Sequence, residues 1–140
     1  MLDPLSAAMK IAGSGLEAQS MRLRVVSENL ANMESAGRTA GSDPYRRKTV
    51  AFTTELDRLT DTPLVKVDKT IPDPSPFRLE FSPGHPAADA KGYVKLPNVN
   101  MIVEMADIRQ ANRSYEANLQ VIKQARDMIS MTIDMLRSQG

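Results

Sequence analysis

Residues 97–136 read PNVNMIVEMADIRQANRSYEANLQVIKQARDMISMTIDML, and the period of this stretch decides the fold. Apolar side chains recur at spacings of three and four through Met101, Met105, Ile108, Tyr115, Leu119, Ile122, Ile129, Ile133 and Leu136, with Asn112 and Arg126 as polar interruptions. That is a heptad stripe over about five repeats, the pattern of a helix that lays one seam against another helix. Asn98 or Asn100 can cap its start, because an Asn side-chain oxygen accepts from backbone N–H groups that the first turn leaves free. At 1.5 Å per residue, a helix of about 35 residues reaches roughly 50 Å.

Working outward, the other end of the chain carries a matching stripe. Leu2, Leu5, Met9, Ala12, Leu16, Leu23, Val26, Leu30 and Met33 keep the same spacing, broken only by Gln19. Asp3 followed by Pro4 suits an N-cap and a first helical position, since Pro has no N–H to lose there. Gly13 and Gly15 lie inside the stripe, and each weakens an isolated helix by about 1 kcal/mol relative to Ala. Either the helix breaks at them or a neighbour packs close. Two terminal helices of similar length invite pairing with each other.

Between the helices the helical period disappears. Gly37, Gly41, Ser42, Asp43 and Pro44 are turn formers, and they lead into the basic run Arg46-Arg47-Lys48. Eight of the nine prolines lie from Pro44 to Pro97, which rules out a continuous helix. Thr49–Thr53, Leu64–Val67, Phe77–Phe81 and Tyr93–Leu96 have strand-type composition, as short strands or as extended segments. The expected fold is mainly α: long N- and C-terminal helices pairing as an antiparallel coiled coil, with a short β or extended middle segment. The divisions fall at 1–36, 37–97 and 98–140.

Composition narrows the function classes. Aromatic residues make up 4% of the chain and Trp is absent, so burial has to come from seams of Leu, Ile, Met and Ala. Eighteen basic and seventeen acidic side chains leave a formal charge of +1, too weak a field to imply nucleic acid or an anionic membrane. Without cysteine there are no disulfides and no thiolate sites. Asp3, Lys10 and Glu17 stand where a Sec-type signal would be basic and then apolar, so no such signal is expected. No apolar run is long enough for a transmembrane helix.

Chemistry-bearing constellations do not assemble. His85 is the single histidine, in the rigid turn Pro83-Gly84-His85-Pro86, so no two-His metal site is available and a His-paired nucleophile could be completed at most once. Gly13-Ser14-Gly15 lacks the spacing and terminal Lys of a phosphate loop. Arg46-Arg47-Lys48 with Tyr45 falls short of a nucleic-acid face and reads as a solvated loop or a contact to an acidic neighbour. No catalytic, cofactor or metal residue is expected, and no small-molecule substrate. The methionines at 101, 105, 128, 131 and 135 are either core fillers or contacts that adapt to several neighbours. Asn29 and Asn32, three apart on one helix flank, are candidates for fixing the helix end or a neighbour, and Asn32 also suits a plain C-terminal cap.

Read as strings, several of these segments are familiar. Residues 14–19, SGLEAQ, and 22–32, RLRVVSENLAN, resemble the N-terminal signature of the flagellar axial proteins of the rod and hook class, whose hallmark is an Asn-apolar-Ala-Asn element at positions 29–32. Pro83-Gly84-His85-Pro86 with Asp89, Gly92-Tyr93-Val94, Pro97-Asn98-Val99-Asn100, Glu104-Met105 and Arg113–Asn118 are similar to the pattern of the proximal-rod branch of that family. Met33–Gly37 departs from it, since many relatives have a small residue and a Thr before the Gly.

The resemblance implies a structural subunit of the drive shaft that transmits torque from the motor to the hook in the basal body. It implies export through the flagellar type III apparatus without a cleaved signal, and contacts with other rod proteins, with copies of the same chain and with the adaptor that joins rod to membrane ring. It further implies terminal helices that are poorly ordered in the free monomer and pack on assembly, which agrees with a chain poor in aromatic core. The expected subunit-interface residues are Leu16, Leu23, Val26, Asn29, Leu30 and Asn32 on the first helix. On the second they are Met101, Met105, Asn112, Tyr115, Leu119, Ile122, Arg126 and Ile129. Asn112 and Arg126 on the seam suit partners from a third chain, because burying an unpaired polar group costs about 1 to 3 kcal/mol. A small periplasmic binding or adaptor module is the alternative, and a hydrolase or metal enzyme a more distant one.

Overall fold

The computed structural model describes residues 3–140, so Leu2 of the first stripe lies outside the described residues. Helix α1 runs Pro4–Ala31. Asp3 caps it as its sequence position predicts: Oδ1 accepts from the N–H groups of Leu5 and Ser6, both at 3.0 Å, and Oδ2 from Ser6 Oγ at 2.7 Å. The helix is continuous through both glycines, for different reasons. A Cβ on Gly15 would come within 2.6 Å of Asn118 Nδ2, so this glycine makes room for a close neighbour, whereas Gly13 has nothing within 4 Å. At the other end Asn32 closes the last turn, its Nδ2 donating to the Glu28 carbonyl at 2.9 Å.

Helix α2 runs Met101–Ser138. Asn100 is its cap, accepting from the Ile102 N–H at 2.9 Å, while Asn98 is used elsewhere. The two helices make up just under half of the chain, and the middle is true β-structure. Strands β1 (Lys48–Asp57) and β2 (Thr62–Pro72) form one two-stranded sheet, β3 (Arg78–Phe81) and β4 (Tyr93–Leu96) another. The connection between β1 and β2 is four residues long, which only an antiparallel hairpin allows. Strands β3 and β4 are antiparallel, with Arg78 opposite Leu96 and Phe81 opposite Tyr93, whose rings meet edge-on at 5.3 Å. Each stretch of strand-type composition falls on a strand. β1 and β2 extend several residues past their β-branched segments because pairing across the hairpin carries polar residues along.

The chain forms two compact units. The first takes the residues up to Arg22, Phe52–Asp68 and Gln110–Gly140. Its buried apolar side chains are small: Ala12, Ala18, Ala111 and Ala125. Arg22 donates to Gln110 at 2.9 Å, Lys10 pairs with Asp57 and donates to Thr60 Oγ1 at 3.2 Å, and the Val65 N–H donates to Ser14 Oγ at 3.1 Å. The second unit is Leu23–Ala51 with Lys69–Arg109. In it Ala87, Val94 and Leu96 form a small apolar cluster, with Ala36 and Ala88 against it.

The phase of α2 differs from the sequence expectation. Its innermost positions are Glu104, Ala111 and Ala125, with half-buried Asn118 on the same line, spaced by sevens and one residue before the expected series at 105, 112, 119 and 126. Asn112 and Arg126 are accordingly exposed in the single chain. Small and polar residues occupy the inner line because close backbone approach leaves no room for large ones, as Asn118 against Gly15 illustrates.

Candidate functional site

The second unit contains a polar cluster built around two fully buried side chains. Asn29 and Glu104 are both 0% exposed. A carboxylate at such a position is very costly unless it is paired and hydrogen-bonded. Arg47, at the start of the hairpin, supplies the charge: Nε donates to Glu104 Oε1, and the guanidinium also pairs with Asp73 at 3.1 Å and with Asp107 at 3.6 Å. The Arg47 backbone N–H donates to Asn98 Oδ1 at 2.8 Å. Asn98 in turn donates to the carbonyls of Asp73 and Ser75, both at 3.1 Å, which ties the segment after β2 to the entry of α2.

Asn29 does the equivalent work from α1. Its Oδ1 accepts from Tyr45 Oη at 2.7 Å and from the Lys48 N–H at 2.9 Å, and its Nδ2 donates to the Lys48 carbonyl at 2.8 Å. A side-chain amide that receives and returns bonds to one backbone residue imitates a strand partner, so Asn29 docks the start of β1 onto the helix. The basic run is therefore spent inside its own chain. Arg46 stacks over the Phe77 ring at 4.1 Å and donates to the carbonyls of Asp73 and Ser75, while Lys48 meets Glu28 at 2.6 Å. Of the two readings of Arg46-Arg47-Lys48, contact to acidic neighbours is the one observed for Arg47 and Lys48.

The cluster shifts its titratable groups toward the states it needs. Burial, reinforced by the negative charges of Glu28 and Glu104, pushes the Tyr45 hydroxyl up to about 12. Arg47 loses hydration, which favours deprotonation, but the hydrogen bond and charge of Glu104 outweigh this and raise its pKa. Asp73 is held below the usual carboxylate range, chiefly by the Ser75 N–H. Such an arrangement locks geometry. Its donors and acceptors are engaged with one another. His85 acts within its turn, accepting from the Ala87 N–H at 2.9 Å. Among the described residues no group of His, Cys, Asp and Glu has the arrangement of a metal site, and no helix is long and apolar enough to cross a membrane.

The residues expected at subunit interfaces separate by exposure. Met101, Met105, Asn112, Tyr115 and Arg126 are exposed; Leu16, Leu23, Leu30, Asn32, Leu119, Ile122 and Ile129 are half-buried. Val26 is buried, and Asn29 fixes the helix end from inside its own chain. Sequence reasoning missed Arg47 as an organising residue. The signal available to it was a buried-type Asn and a lone Glu on apolar helix faces, both needing a partner.

The comparisons with known proteins fall on this frame. The family described as flagella basal body rod protein matches residues 9–37, and the one described as flagellar basal body rod FlgEFG protein C-terminal matches residues 90–135. The flagellar basal-body rod protein FlgC of Agrobacterium fabrum is 61% identical over 98% of this chain and 99% of its own length. The chain belongs to the FlgC family of flagellar basal-body rod proteins. FlgC of Yersinia enterocolitica is 44% identical over 89% of this chain, and that of Borreliella burgdorferi 35% over 95%. The first family match carries Asn29 and the second Asn98 and Glu104, while Arg47 lies between the two matched regions. The expectation of rod-class membership, drawn from the Asn29–Asn32 element and the Pro97–Glu104 stretch, is thus borne out at the level of the FlgC branch.

Proposed function

We infer that this chain is a non-catalytic structural subunit of the flagellar basal-body rod, working in the proximal rod as part of the shaft that carries torque from motor to hook. The observation that carries this reading is similarity to the FlgC of Agrobacterium fabrum along nearly the whole of both chains. The geometry is in keeping with it, since the buried polar cluster around Asn29 and Glu104 holds segments of the chain together.

The division of labour follows the chain. Residues 1–36 and 98–140 serve as assembly helices, and 37–97 as the part that sets their spacing and presents outward-facing surface. The reading that the helices pair as an antiparallel coiled coil is supported, in the first unit, by Gly15 lying against Asn118 and Arg22 reaching Gln110. Met101, Met105, Asn112, Tyr115 and Arg126, exposed in the single chain, meet helices of neighbouring subunits, where Met adapts to more than one packing partner. The neighbours are copies of this chain, other rod proteins and the adaptor joining rod to membrane ring. The type III export apparatus handles the chain in transit.

The test is fractionation of basal bodies from cells that carry a tagged, functional copy. The chain is expected in the rod fraction, and cells deleted for it are expected to lack rods and motility. A motile deletion strain, or purified basal bodies without the tag, would overturn the assignment.

A further inference from the structure

The turn that closes the β1–β2 hairpin, residues 58–61, carries an apolar side chain that its own chain does not use. Leu59 is 93% exposed. The turn around it is secured without it: Asp57 Oδ1 accepts from the Leu59 N–H at 2.8 Å, the Asp61 N–H donates to the Asp57 carbonyl at 2.8 Å, and Asp61 takes the left-handed conformation at φ 55°. Gly, Asn, Asp and Ser are the residues such turns favour, each for a local reason that Leu lacks. The tip is also held in place, because Lys10 of α1 pairs with Asp57 and donates to Thr60. Leu59 is thus a rigidly mounted knob.

Within the same unit, α1 and β2 enclose a groove of about 280 Å³ lined by Ala18, Met21, Val65 and Val67. A void of ~150 Å³ already accepts a benzene ring, so an isobutyl side chain fits with room to spare. The groove is preformed, since the Val65 N–H is anchored on Ser14 Oγ. Two exposed charges border it, Glu17 and Lys66. Two charges of the opposite order flank the knob, Arg58 and Asp61. Lys66 already pairs with Glu55, but both side chains are more than half exposed, and such a surface pair is easily exchanged.

We propose that Leu59 of one copy of this chain seats in the groove of the next copy, with Arg58 meeting Glu17 and Asp61 meeting Lys66. Knob and groove are different surfaces of one molecule, so the contact is head-to-tail and propagates along a stack instead of closing into a symmetric pair. Both partners are rigid beforehand, which reduces the ordering cost of the contact. The proposal rests on the rod-subunit reading and gives it one specific contact between copies.

The chain has no cysteine, which makes the test direct. Leu59→Cys combined with Met21→Cys, oxidised in isolated basal bodies, is expected to give a ladder at multiples of the 15.4 kDa chain on a non-reducing gel, and either single variant to give monomer only. Monomer alone from the double variant, dimers from Leu59→Cys alone, or a product with a different rod protein would overturn the contact while leaving the rod assignment intact. Absence of the chain from basal bodies would remove both. A second measurement covers a double variant that does not assemble: Arg58→Glu and Glu17→Arg are each expected to lower rod yield several-fold, and together to restore it. Failure of the combined exchange to restore rods would overturn the proposal.

Discussion

The middle of the molecule and the end of α2 solve the problem of burial in opposite ways. Around Asn29, Arg47 and Glu104, polar groups are taken out of water and every one that is buried finds a partner in the same chain. From residue 127 to 140 only Ile129 is even half-buried, although Met128, Met131, Ile133, Met135 and Leu136 are all apolar. A satisfied polar cluster specifies one geometry, because any slip leaves a desolvated charge. An exposed apolar helix face specifies nothing until something covers it. The contrast teaches which part of this subunit is built to be correct alone and which is built to be completed by others.

The comparison breaks most visibly at Glu104. Replacing Glu104 with Ala takes its fully buried carboxylate partner from the half-buried Arg47 guanidinium, which keeps only Asp73 and Asp107, and breaking such a pair costs about 3 kcal/mol. Urea unfolding of the purified chain measures the loss. Amide hydrogen exchange locates it: residues 23–31 and 101–109 are expected to be well protected in the parent and to lose that protection in the variant, with 127–138 fast in both. Equal protection at the two ends of α2 in the parent protein would mean that the two regions do not differ in the way the burial pattern indicates.

Asn29→Ala is the next largest. It removes the fully buried side chain that accepts from Tyr45 and Lys48 and returns a bond to the Lys48 carbonyl, three bonds in all, at a cost of about 2 kcal/mol. Asn32→Ala, which frees only one half-exposed bond to the Glu28 carbonyl, is expected to cost less than half as much. If the two variants lowered the urea midpoint equally, Asn29 would be an ordinary helix-end residue and not the dock for β1.

How much of this was legible beforehand follows from the range of the interactions. The start of α1 could be read from Asp3-Pro4 because a cap is decided within three residues, and the four strands from runs of β-branched and aromatic residues between prolines. The phase of α2 could not. Large apolar residues marked the stripe, whereas the line that packs against its own chain carries Glu104, Ala111, Asn118 and Ala125, whose smallness or polarity makes sense only with the opposing backbone in place. Arg47 was hidden for a related reason. Its partner Glu104 is 57 residues away, and no local pattern tells which residue of a basic run pairs with a buried carboxylate. Asn29 was legible as a residue that matters, but not as one that faces inward.

A smaller effect tests the electrostatics of the same cluster. The Tyr45 hydroxyl titrates near 12 in the folded chain against about 10 when unfolded, because its anion would sit buried beside Glu28 and Glu104. A folded-state pKa above the unfolded one means that the contribution is fully present below pH 10 and fades as pH rises through 12. Tyr45→Phe is expected to cost about 1 kcal/mol at neutral pH, through the lost bond to Asn29. The difference in stability between the two proteins should then narrow between pH 10 and 12. A constant difference across that interval would place Tyr45 in solvent.

The smallest expected change in stability is on the other side of the comparison, and it is the most informative for function. Met131 is 63% exposed and Met135 62%, so replacing both with Ser removes almost no contact within the chain. Surface substitutions of this kind change stability by no more than about 0.5 kcal/mol. If the exposed apolar end of α2 is completed by neighbouring subunits, however, each methionine is buried on assembly, and losing the pair weakens every copy of that contact along the stack. A variant with an unchanged urea midpoint and few or no rods in basal-body preparations would therefore separate assembly from folding in one measurement. Normal rods would assign the subunit contacts to other surfaces and leave these methionines without a structural role.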